Sequence, residues 1–66
     1  MKRSEGERIR LAHQIEHMRV MVGALELALT QDVPITETAQ AVADTGVRLV
    51  STAARLDAYR RSELGS

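Results

Sequence analysis

Apolar positions recur along this chain in two long helical patterns separated by one break. In the first, Leu11, Ile15, Met18, Val22, Leu25 and Leu29 are spaced alternately four and three residues apart. In the second, Ile35, Ala39, Val42, Gly46, Leu49, Ala53 and Leu56 follow the same alternation. Such spacing holds apolar side chains on one face of a helix and marks a heptad seam. No alternation with the period of a strand competes with it. The break is Gln31-Asp32-Val33-Pro34-Ile35-Thr36. Pro34 cannot continue a helix, and it pushes the residue before it out of helical geometry. Thr36 followed by Glu37 has the form of a helix N-cap with an acid in the first turn. Ser4 and Glu7 have the spacing of a capping box. The pattern predicts helix 1 over about 5–31, a turn at about 32–35 and helix 2 over about 36–62. Nearly equal lengths and a short loop predict an all-α antiparallel hairpin, one domain across the 66 residues.

The second seam alternates in size. Ala39, Gly46 and Ala53 are small, while Ile35, Val42, Leu49 and Leu56 are large. Small residues seven apart let a neighbouring helix approach closely, which is the expected reason for a helix-weakening glycine at position 46. Asp44-Thr45-Gly46-Val47 also threads as the turn of a helix-turn-helix. The seam running unbroken through Gly46 accounts for the same residues better, as one long helix.

Two helices bury one stripe each and enclose no core, and a chain this short usually needs a staple or a partner. Cys is absent, so no disulfide supplies the staple. Between Val20 and Leu29 the only charge is Glu26, so that stretch is apolar nearly all round. Val20 and Leu27 face away from the seam, and the pattern predicts a second interface there, to another copy or to a different protein. Charge placement adds a geometry. Residues 21–45 carry Glu26, Asp32, Glu37 and Asp44 with no Lys or Arg, whereas bases outnumber acids in the segments before and after. A hairpin therefore has an acidic turn end and a basic open end. Two hairpins with turns at opposite ends match acid to base, and the expected assembly is a homodimeric four-helix bundle. Its expected interface residues are Leu11, Ile15, Met18, Val20, Val22, Leu25, Leu27, Leu29, Ala39, Val42, Gly46, Leu49, Ala53 and Leu56.

Chemistry changes the picture little. His13-Gln14-Ile15-Glu16-His17 has the spacing of two helical metal ligands flanking a base, but a catalytic zinc needs a third ligand and a cleft. The pair is expected to be solvated helix surface, with no metal and no cofactor. Absent Cys, paired carboxylates on an apolar face, or a His within reach of a Ser or Thr, no catalytic residue is expected. Net charge is zero and Phe and Trp are absent, which removes a bulk attraction to nucleic acid and a base-stacking platform. Five arginines have an acid three or four residues away on their own helix: Glu5 with Arg8, Glu7 with Arg10, Glu16 with Arg19, Asp44 with Arg48 and Asp57 with Arg61. That is the pattern of a solvated face. Arg3, Arg55 and Arg60 are freer, and with Lys2 they make a basic patch at the open end that fits a phosphate backbone. Tyr59 lies one turn after Arg55, within stacking reach of it. Acids close behind the first basic residues argue against a signal peptide, and no stretch suits a membrane span, so a soluble cytoplasmic protein is expected. The functional expectation is a small non-enzymatic interaction module, homo-oligomeric, regulating or scaffolding through protein contacts. The alternatives are a nucleic-acid-binding regulator working from the basic end, and an accessory subunit or inhibitor docking on a larger complex, as short phage- and plasmid-borne proteins do.

Overall fold

Pro34 and its neighbours divide the chain into two helical halves. In the computed structural model, which describes residues 2–65, α1 spans Arg3–Gln31 and α2 spans Thr36–Gly65. The helices pack antiparallel, with Ser4 against Glu63 at the open end and Met21 against Thr45 deeper in, as a slab of 54 × 15 × 11 Å. Helix α1 ends where Asp32 takes the left-handed conformation, φ 54°. The Val33 N–H then reaches back to the Ala28 carbonyl at 3.4 Å, the six-to-one bond of a Schellman cap. Helix α2 begins when the Ile35 carbonyl accepts the Ala39 N–H at 2.8 Å, which makes Ile35 the capping residue and Thr36 the first residue inside. It continues unbroken through Asp44–Val47, so the helix-turn-helix bend is not formed.

The seam between the helices differs from the apolar pattern by a rotation. From α1 it takes the row Ser4, Leu11, Met18, Leu25 and the row Glu7, Gln14, Met21, Ala28, all buried or half-buried. From α2 it takes Ile35, Val42, Leu49, Leu56, Glu63 and the row Thr38, Thr45, Thr52, Tyr59. Half of the predicted α1 seam is therefore in place, and in α2 all of it but Ala39, with Gly46 and Ala53 half-buried at its edge. Ile15, Val22, Leu29 and Ala39, expected inside the seam, are exposed instead, Ile15 at 39% and Leu29 at 62%. Threonine hydroxyls that find local partners explain the substitution. Thr45 Oγ1 donates to the Ala41 carbonyl at 2.9 Å and lies 3.4 Å from Met21 Sδ. Thr52, wholly buried, accepts from Arg55 Nη2 at 3.2 Å. With its hydroxyl satisfied, a threonine packs much as a branched apolar side chain does.

Two further expectations change. Ser4 and Glu7 form no capping box, because both lie inside α1 and turn across to α2. A Cβ at Gly46 would meet only the flexible end of Met18, at 3.6 Å, an ordinary contact. No close backbone approach within the hairpin accounts for that glycine.

Candidate interaction surface

Rows of residues seven apart run along each helix, and the row flanking the seam on either side fixes what the hairpin presents. Beside the seam row of Leu11, Met18 and Leu25 lie Arg8, Ile15, Val22 and Leu29. Beside the corresponding row of α2 lie Ala39, Gly46, Ala53 and Arg60. Turning one helix end for end while its seam faces inward carries like rows to the same side. Contacts agree with this: the Met18 methyl lies 3.6 Å from where a Cβ at Gly46 would stand on this side, while Arg3 with Tyr59 and Glu7 with Arg55 meet on the other. One flank thus holds three large aliphatic side chains along α1 and three small residues along α2, with an arginine from each helix at the open end. The opposite flank carries Arg3, Arg10 and His17 from α1 and Arg48 and Arg55 from α2.

Burial in the seam is sparse. Among the described residues only Ala28 and Leu56 are buried apolar side chains. Val20 at 64% exposure and Leu27 at 56% stand on the outer face of α1, where the sequence places them. Ile9, Val47, Val50 and Leu64 are exposed as well. The chain exposes 5144 Å². A compact monomer of 7.3 kDa is expected to expose about 4,200 Å². The surplus of roughly 1,000 Å² is comparable to the roughly 800 Å² per partner of a standard protein interface.

On the charged flank the Arg3 guanidinium lies 5.8 Å from the Tyr59 ring centroid, so Tyr59 stacks with Arg3 and not with Arg55. Arg55 Nε donates to Glu7 Oε1 at 3.4 Å. The other Glu7 oxygen and Gln14 Oε1 are buried without a partner. Of the five expected same-helix pairs, Glu16 with Arg19 closes at 3.1 Å, while Glu7 reaches across the seam and away from Arg10. Of the three arginines expected at a phosphate backbone, Arg3 and Arg55 lie in the rows of the charged flank and Arg60 in the row of the apolar one. At the open end the Ser4 hydroxyl donates to Glu63 Oε1 at 2.6 Å and the Ser4 N–H to Oε2 at 3.4 Å. The hydroxyl bond holds the Glu63 carboxyl below its ordinary value.

His13 and His17 sit one turn apart on exposed α1 surface, along a shallow open groove with Ile9, Arg10 and Gln14. Among the described residues no three His, Asp or Glu side chains are grouped so as to hold a metal ion. No helix among them is long and apolar enough to cross a membrane. The polar half of the seam falls outside the apolar pattern, and its one visible signal is the seven-residue spacing of Thr38, Thr45 and Thr52. No protein-family model, curated protein or solved structure matches this chain.

Proposed function

We propose that this chain is a small non-enzymatic interaction module that self-associates and regulates or scaffolds through protein contacts. One observation carries the reading: threonines, a glutamine and carboxylates occupy much of the hairpin seam while, among the described residues, ten large aliphatic side chains remain exposed. Apolar surface of that extent marks a contact site in a protein of this size. The outer row with Val20 and Leu27 is then available for a further protein once the chain has paired with itself. Sedimentation equilibrium with circular dichroism over the same concentrations tests the reading. The expected result is helicity that rises together with association in the micromolar range. A fully helical, cooperatively melting monomer at every concentration overturns it.

A further inference from the structure

Resting on that reading, we infer that the apolar flank formed by Ile15, Val22, Leu29, Ala39, Gly46 and Ala53 is the surface on which a second copy of this chain docks, with its turn at the opposite end.

Three observations point to a copy of the same chain. First, the large and small rows are each self-matching in spacing. A two-fold axis perpendicular to the helices near Met18 sets Ile15 opposite Val22 of the second copy. The same axis crosses α2 near Gly46, which lies level with Met18, and sets Ala39 opposite Ala53 of the second copy. Large rows then meet along the paired α1 helices, and small rows let the paired α2 helices close to the usual interaxial distance of about 8–10 Å. Second, this axis matches charge. Arg8 and Arg60 lie on the flank at the open end, and Glu26, Asp32 and Glu37 lie around the turn. Turns at opposite ends place each arginine pair beside the acids of the second copy, whereas turns at one end stack acid on acid. Third, the roughly 1,000 Å² of surplus surface is comparable to the roughly 800 Å² that a standard interface removes from each partner. The charged flank and the outer row of Val20 and Leu27 stay outside this contact.

The test compares two pairs of substitutions in the full chain. Val22→Glu with Ala53→Glu charges the flank. Val20→Glu with Leu27→Glu charges the outer row. The flank pair is expected to weaken dimerisation at least ~100-fold, because two carboxylates in each chain would be buried unpaired. The outer pair is expected to change it less than about threefold, as rim and surface substitutions do. Loss of folding in the flank variant is resolved by a third protein, Val22→Lys with Ala53→Lys. Mixed with the flank Glu variant, it is expected to restore a helical dimer holding one chain of each. Flank variants that stay dimeric, or a Glu and Lys mixture that stays dissociated, overturn the flank assignment while the interaction-module reading stands. A wild-type chain that stays an unfolded monomer overturns the flank assignment together with self-association, leaving only contact with a different protein. A stable, fully helical wild-type monomer overturns both the flank assignment and the interaction-module reading.

Discussion

Gly46 shows how a single residue separates the hairpin from its assembly. Glycine in the middle of a helix costs about 1 kcal/mol relative to alanine, through the backbone freedom it loses on folding. Inside the hairpin nothing compensates, since an added Cβ would touch only the Met18 methyl at 3.6 Å, and a methionine end shifts easily. Its row neighbours Ala39 and Ala53 already carry a methyl at equivalent positions. Gly46→Ala is therefore expected to stabilise the protein by about 1 kcal/mol. Gly23→Ala, where a Cβ meets nothing within 4 Å, is the matched control. Urea unfolding of both variants checks this. A gain at position 23 combined with a loss at 46 would mean that a backbone approaches Gly46 more closely than the hairpin itself requires.

At the scale of the elements, the two helix ends that meet at the opening are tied by a carboxylate. Early N–H groups of a helix lack partners along the helix, and the Glu63 carboxylate accepts that of Ser4 as well as its hydroxyl. The hydroxyl bond favours the ionised form and lowers the Glu63 pKa, with the Ser4 N–H and Lys2 acting in the same direction. A carboxyl lowered in the folded state contributes stability that is fully present above its ordinary value of 4.5 and is lost as pH falls through the lowered one. Ser4→Ala is expected to raise the Glu63 pKa toward 4.5 and to remove that part of the acid dependence. Side-chain NMR titration of both proteins reads the shift, and an unmoved Glu63 resonance midpoint would refute the coupling. This contact was not legible in the sequence, because Ser4 and Glu7 match a capping box equally well when only local spacing is considered. The seam was half legible for a related reason. Leu11, Met18, Leu25, Val42, Leu49 and Leu56 announce themselves by hydropathy, and the turn by Pro34. Thr45 and Thr52 do not, because what makes them good seam residues is a hydroxyl partner supplied only by the folded backbone and by Arg55. Hydropathy instead selected Ile15, Val22, Leu29 and Ala39, which the flank geometry places beside the seam and on one side of the hairpin.

That displacement governs the whole molecule. The apolar face read from spacing is offset from the hairpin contact by half of its residues in α1 and by Ala39 in α2, where Gly46 and Ala53 stay half-buried at the edge, and both offsets are toward the same flank. A hairpin folding only for itself gains nothing from such an arrangement, whereas a hairpin whose two helices must also face a second pair gains a continuous inner surface. In the proposed pair, charge is what sets the orientation, because apolar contact carries no direction along the axis while the acidic turn and basic opening do. With turns at opposite ends and the axis near Met18, each Val33 lies about 22 Å from the axis at 1.5 Å per residue, so the two turns are about 45 Å apart. With turns at one end they lie within ~20 Å, given neighbouring helices about 10 Å apart. A nitroxide attached through Val33→Cys reports this directly, since Val33 is exposed and no other cysteine competes for the label. Pulsed electron paramagnetic resonance is expected to give a single distance of about 45 Å that persists at low ionic strength. A distance below 20 Å would reverse the orientation. It would mean that the fit of the large α1 row into the small α2 row of the second copy outweighs the repulsion of two acidic turns.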